Sequence, residues 1–310
     1  MGTKKHDVMF ICLAVLVMLE FIFCLFINAL AGIGGSSLGW FLNSTGDISD
    51  YYYIEITPAG WTFTIWAFIY TYQALFLLYV LTSLCRRNAK GPVYRNPVLI
   101  TPIMLVMYAF NLALNVTWLF LFDRQHMAIA VVVSSLLPTT LWIMLFINHR
   151  KVDQNGFSMK HSHKCDLFLV RAIVQNGLAF YATWVTIATL LNLTIVMTYW
   201  GDLEQSVACT ISLSILLVEV LIYSVLENIV WDKYLRYTYS VWVVVIFALS
   251  GSIARNWNPE QRNSIYSAVL ISLAAGLFVL KIGLSMWRCC KRPLYTSKVS
   301  SESKMELALA

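Results

Sequence analysis

Charge is scarce in this chain: 12% of its 310 residues are Asp, Glu, Lys or Arg, while 59% are hydrophobic. That balance excludes an ordinary soluble globular domain and leaves a polytopic membrane protein. No polar stretch is long enough to fold as a separate soluble domain. A glycine-rich phosphate cradle, a nucleophile elbow and a zinc-protease helix motif are all missing. None of the seven cysteines falls in an expected outer loop, so no disulfide framework is implied. His161, His163 and Cys165 do not match a familiar zinc spacing, and neither a metal nor a cofactor is assigned. The sequence has no convincing internal repeat, which argues against transporters built from paired inverted halves.

What fills the chain is hydrocarbon in runs of membrane-crossing length. About 20 apolar residues span the core of a bilayer as a helix. By that measure the spans are 8–31, 61–84, 98–122, 127–148, 167–197, 207–226, 237–254 and 264–287, about eight in all. The first is longer than the apolar region of a signal peptide and reads as a retained span. Basic residues mark every second loop: Lys4 and Lys5, then Arg86, Arg87, Lys90 and Arg95, then Arg150, Lys151, Lys160 and Lys164, then Lys233 and Arg236, then Arg288, Lys291 and Arg292. Short basic loops stay cytoplasmic, so both termini are expected there. The net charge of +6 is therefore a topology signal and not a sign of nucleic-acid binding. The segments 85–97 and 149–166 are expected to be short polar loops, and 32–60, with Tyr51, Tyr52 and Tyr53, an ordered outer lid.

Three spans carry aromatic and amide side chains at helical spacing. Tyr181, Trp184, Ala188, Leu191 and Asn192 share one face of the fifth span, and Asn111, Asn115 and Trp118 one face of the third. Pro58 and Gly60 shape the start of the second span, followed by Trp61, Trp66 and Tyr70. Amides and indole N–H groups facing lipid lose their water partners, so these faces are expected to turn inward to a pocket. Interfacial anchoring explains tryptophan and tyrosine equally well, and asparagine often joins helices with no ligand involved.

These residues resemble the TspO/translocator-protein family, the tryptophan-rich sensory proteins. Leu112-Ala113-Leu114-Asn115-x-x-Trp118, with Phe120, Phe122, Arg124-Gln125 and Met127, resembles that family's third span and the loop after it. Tyr181-x-x-Trp184-x-x-x-Ala188-Thr189-x-Leu191-Asn192 resembles its fifth span, and Pro58-x-x-Trp61 with Trp66 and Tyr70 its second. The resemblance covers roughly residues 8–198 and leaves 207–287 unexplained. It implies a five-helix bundle whose cavity, open toward the loop between the first two spans, binds flat lipophilic molecules such as porphyrins or sterols. Trp61, Trp66, Asn115, Trp118 and Trp184 would line that cavity. The family pattern places one more residue between the two second-span tryptophans, and its proline before the fifth-span tyrosine is Phe180 here. Its sterol-recognition stretch is replaced by Leu193 and Thr194, so sterol binding at that place is unsupported.

The fold expected is an all-α membrane protein: a TspO-like five-helix bundle over 1–200, an additional three-helix segment over 201–290 and a disordered cytoplasmic tail over 291–310. Ligand-binding candidates are Pro58, Trp61, Trp66, Tyr70, Asn115, Trp118, Tyr181, Trp184 and Asn192. Glu20 and Glu219 lie near mid-span, where a carboxylate is costly unless paired, so they are the candidates for proton or solute coupling. Arg171 and Lys281 sit close enough to the cytoplasmic side to snorkel. Asn43-Ser44-Thr45 is a glycosylation acceptor, favouring the plasma membrane or another secretory-pathway membrane over the mitochondrial outer membrane. Cys289-Cys290, flanked by Arg288 and Lys291, is a palmitoylation candidate. Binding or sensing of a lipophilic porphyrin- or sterol-like molecule is the leading function, and proton-coupled secondary transport the alternative. Light-driven porphyrin turnover rests on resemblance alone, so an enzyme is not favoured. The partners expected are the bilayer, the lipophilic ligand and, as one arrangement, a second copy of the chain.

Overall fold

A computed structural model describes residues 6–36, 38–88 and 91–296. Lys4, Lys5, Lys90 and the tail beyond residue 296, with the disorder expected for it, lie outside the described residues. The long helices are α1 (Val8–Ile33), α3 (Ile65–Cys85), α4 (Pro102–Asp123), α5 (Met127–Ser162), α7 (Asn176–Tyr199), α8 (Gln205–Val225), α10 (Ser240–Asn256) and α11 (Arg262–Lys291). Short helices α2 (Thr45–Tyr51), α6 (Lys164–Leu169) and α9 (Asp232–Leu235) lie between them. Among the described residues seven helical stretches are long and apolar enough to cross a membrane, and the 17-residue α10 is a shorter apolar helix. The all-helical, multi-pass architecture expected from the apolar runs is the one found.

One span holds the others. The stretch Lys164–Tyr199 is 61% buried over its most apolar window, against 22–44% for the other six, so it forms the central post. α7 packs against α3, α5, α8 and α10, α4 lies between α1 and α5, and α11 completes the far side on α8 and α10. Pro138 interrupts α5 and shows why polar side chains are needed between helices here. Its missing N–H deprives the Ser134 carbonyl of a helical partner. Thr189 Oγ1 of α7 donates to that carbonyl at 2.9 Å, and Asn111 Nδ2 of α4 reaches Leu137 O at 3.0 Å and Thr140 Oγ1 at 2.8 Å.

The polar loop expected at 149–166 is instead mostly helix, because α5 runs on to Ser162. Val152, Gly156 and Met159 recur at helical spacing and are buried, giving the extension an apolar face to pack. The segment 87–92 pairs Arg87 with Pro92 and Asn88 with Gly91 in a two-residue antiparallel contact.

At the opposite end the described residues of the lid expected over 32–60 are fastened to the bundle. Ser44 and Asp47 form a capping box at the start of α2. Buried Asp123 accepts the backbone N–H groups of Leu42 and Asn43 at 2.9 and 3.0 Å. Tyr53 O accepts from Tyr199 Oη and Gln205 Nε2, Arg255 pairs with Asp50 at 2.6 Å, and Asn263 Nδ2 donates to Glu55 at 2.7 Å. The Ala59 N–H donates to Gly251 O at 3.0 Å, which brings α10 so close that a Cβ on Gly251 would lie 1.9 Å from Thr62 Cγ2. Thr62 is fully buried and its hydroxyl is held by Ala59 O, so it has no free rotamer to yield. Gly251→Ala is therefore expected to cost about 1–3 kcal/mol by overpacking, read as a lower unfolding midpoint in detergent, with Gly276→Ala, where nothing lies within 4 Å, as the silent control.

Candidate functional site

Five of the nine expected ligand contacts meet where α3, α4 and α7 converge. The Trp66 ring lies 5.5 Å from Tyr70, 6.1 Å from Tyr181 and 6.5 Å from Trp184. Asn115 Nδ2 donates to Tyr181 Oη at 3.3 Å, while its Oδ1 accepts from Asn28 Nδ2 of α1 at 2.9 Å. The other four stand apart. Trp118 stacks on Phe122 at 4.8 Å, Asn192 is buried further along α7, and Trp61 is 47% exposed with its edge against Phe247. Pro58 lines a small cavity of about 40 Å3 together with Trp184, beneath the lid. Tyr70 Oη, Trp118 Nε1, Trp184 Nε1 and Asn192 Nδ2 are buried with no hydrogen-bond partner. Such groups are costly in a dry interior unless a ligand or water reaches them.

A larger cavity, about 530 Å3, lies on another side of α7, between α5, α8 and α10. Ile187 and Leu216 line both cavities and form the partition between them. Its walls are almost wholly apolar or aromatic: Trp142 and Phe146 from α5, Thr183 and Thr186 from α7, Tyr223 from α8, and Val241, Trp242 and Val245 from α10. Tyr223 sits between two indoles, 6.2 Å from Trp142 and 5.9 Å from Trp242. The polar exceptions are few. Glu219 Oε2, Tyr223 Oη and His149 Nε2 are buried without hydrogen-bond partners, and all three residues line this space. Ile143, Phe146 and Ile222, which line it, are exposed, so the cavity opens on the bundle's outer surface.

The floor of the cavity is Trp231, Tyr234 and Leu235, held in place by ionic contacts at the end of the bundle that bears the basic loops. Asp232 pairs with Arg236 and, at 2.6 Å, with Arg288 of α11, and Lys233 pairs with Asp153 of α5 at 2.7 Å. Burial alone would raise the Asp232 carboxyl, but hydrogen bonds from Arg236 and Arg288 outweigh it and hold the group below its ordinary value. Deeper in, Lys281 Nζ lies 3.0 Å from Glu227 Oε2, and the two side chains are 1% and 0% exposed. Lys281 also donates to Leu235 O at 3.0 Å. Trp242 Nε1 donates to the other carboxylate oxygen of Glu227 at 2.8 Å.

Lys281 thus does not snorkel as its position suggests: Glu227 and the Leu235 carbonyl draw it inward, where no water competes. Arg171 instead stacks its guanidinium 4.0 Å from the Tyr237 ring. The two mid-span carboxyls are separated. Glu219 faces the larger cavity, whereas Glu20 is half-buried on α1, which packs against α3 and α4 and is not part of the cavity wall. Glu227, Tyr223, Trp142 and His149 escaped the sequence reading. The signal was there in part, since Tyr223 follows Glu219 by four residues along one helix face.

Asn43 lies at the lid end, next to the capped start of α2. Cys289 and Cys290 are exposed at the opposite end, and Cys289 Sγ is 3.3 Å from Tyr237 Oη.

No curated protein and no solved structure matches the chain. A family model described as TSPO-like protein matches residues 14–284, which takes in the last three spans as well as the first five. With the match running through nearly the whole helical bundle, the chain belongs to the TSPO-like protein family.

Proposed function

We propose that this integral membrane protein binds a lipophilic small molecule within the bilayer, in the cavity between α5, α7, α8 and α10. The observation that carries this reading is a space of about 530 Å3 walled by aromatic and aliphatic side chains and holding unpartnered polar atoms of Glu219, Tyr223 and His149. Pockets of about 300–1,000 Å3 with apolar walls and a few convergent polar groups are the usual form of small-molecule sites. A mouth toward lipid suits a ligand that arrives dissolved in the membrane. The Trp142 and Tyr223 rings on its wall favour a flat porphyrin- or sterol-like body.

Titration of purified protein with protoporphyrin or a sterol is expected to quench tryptophan fluorescence saturably. Leu216→Trp, which fills the cavity, should weaken that binding roughly tenfold or more, about 1.4 kcal/mol. If Leu216→Trp has no effect while Trp184→Ala abolishes binding, the ligand sits instead in the cluster of α3, α4 and α7. Saturation by neither ligand would remove support for both positions.

The second reading, proton-coupled transport, draws on the Glu219 carboxyl on the wall of a cavity that His149 also lines. Substrate-dependent proton uptake into proteoliposomes, lost in Glu219→Gln but kept in Glu20→Gln, is the expected result if transport is the function. Within the same proposal, both termini face the cytoplasm of a secretory-pathway membrane, Asn43 carries a glycan outside and Cys289 or Cys290 an acyl chain inside. The basic loops and the exposure of both thiols support this arrangement.

A further inference from the structure

Resting on the binding reading above, we propose that the cavity selects a lipophilic amine, whose ammonium group is held by Glu219 and by the aromatic faces beside it. Among the described residues Glu219 is the one carboxylate on the cavity wall, and its Oε2 has no hydrogen-bond partner there. Neighbouring carboxylates are already engaged: Glu227 with Lys281 and Trp242, Asp232 with Arg236 and Arg288. Neighbouring cations are engaged too, since Lys281 turns to Glu227 and Arg171 lies on Tyr237. Among the described residues no lysine or arginine lines the cavity to neutralise Glu219.

The rings around this carboxyl are disposed to face a cation. Tyr223 follows Glu219 by four residues on α8, one helical turn along the same face. Trp142 and Trp242 flank Tyr223, and both indole N–H groups are occupied, by Thr186 Oγ1 at 3.5 Å and by Glu227 Oε1 at 2.8 Å. Trp142 and Tyr223 are half-buried, so what they offer a ligand is π surface, backed by the fully buried Trp242, and such a surface attracts an ammonium more strongly away from water. An unpaired carboxylate in hydrocarbon is costly, and an entering ammonium removes that cost. An anionic group meets repulsion if it lies against Glu219, so a porphyrin would have to keep its carboxylates at the mouth, and a neutral ligand gains neither the ion pair nor the cation–π contact. The remaining space takes the apolar body of the amine.

The test uses the full chain in lipid nanodiscs and two probes of nearly equal shape, a pyrenylmethyl dimethylamine and pyrenylmethanol, read by energy transfer from tryptophan to pyrene. In the wild type the amine is expected to bind at least about tenfold more tightly than the alcohol, the scale of one charge-assisted contact. Glu219→Gln should bring the two affinities together, chiefly by weakening the amine. Equal affinities in the wild type, or an amine preference that survives Glu219→Gln, would overturn the inference while leaving a lipophile site in place. Saturation by neither probe would overturn the binding reading itself. Should Glu219→Gln fail to fold, the wild type decides alone: the corresponding pyrenylmethyl trimethylammonium must compete with the amine and not be matched by the alcohol.

Discussion

Replacing Glu227 with alanine is expected to destabilise the bundle by about 3–5 kcal/mol, the usual cost of stranding one member of a buried ion pair. Glu227 and Lys281 are both essentially without solvent contact, so neither charge has water to fall back on. After the substitution Lys281 retains only the Leu235 carbonyl, and the Trp242 N–H loses its acceptor. Lys281→Met is expected to cost less, because Glu227 then keeps its hydrogen bonds from Trp242 and Asn228. The double variant Glu227→Leu with Lys281→Met should recover most of the loss. What remains is roughly the 1–3 kcal/mol of an unsatisfied indole N–H. Unfolding midpoints in one detergent of the wild type, Glu227→Leu, Lys281→Met and the double variant close a double-mutant cycle and measure the coupling directly. Wild-type stability in Glu227→Ala would mean that water or lipid head groups reach the pair, and the buried-staple account would fail.

The pair also explains which parts of this fold could be read from sequence. Spans are legible because 20 residues of hydrocarbon admit few other conformations. Where a span ends is less so: Glu227 lies one residue beyond the apolar run 207–226 and reads as a loop charge, whereas the helix continues as a π turn over Leu226–Val230 and buries it. Such a turn inserts an extra residue into the 3.6-residue period, so a helical wheel drawn from Glu219 loses its register at that point. Lys281 has the same chemistry as any snorkelling lysine, and only the position of Glu227 on another helix decides that it turns inward.

The aromatic faces divide on similar grounds. Trp66, Tyr181 and Trp184 fall on faces that α3 and α7 turn toward each other, and spacing within each helix was enough to group them. Trp61 precedes α3 in the tight turn Gly60–Thr64, where α-helical spacing does not hold, and it points outward against Phe247. Composition could not place the larger cavity at all. Its walls come from four helices whose individual sequences are ordinary apolar spans, and the space between them depends on how α5 and α8 splay around α7. Glu219 was legible as a costly residue, but its partner-free setting among Trp142, Tyr223 and Trp242 was not.

Asn176→Leu is expected to cost about 2–4 kcal/mol, a loss out of proportion to one half-buried amide, because that amide serves four backbone groups at once. Its Nδ2 donates to Arg171 O and Tyr237 O, both at 2.8 Å, and its Oδ1 accepts the N–H groups of Tyr239 at 2.8 Å and Ser240 at 3.2 Å. The first of these bonds bridges the π turn Val170–Gln175, and the last two cap the start of α10 from a different helix. Asp at this position keeps the two accepted bonds and loses the two donated ones, so stability should fall in the order Asn, Asp, Leu. An equal loss in both variants would assign the effect to the π turn and not to the cap. Since α10 supplies Val241, Trp242 and Val245 to the cavity wall, the same series should weaken ligand binding in the same order. The wall that faces Glu219 is thus only as well placed as the amide that caps its helix, and stability and affinity should move together along the series.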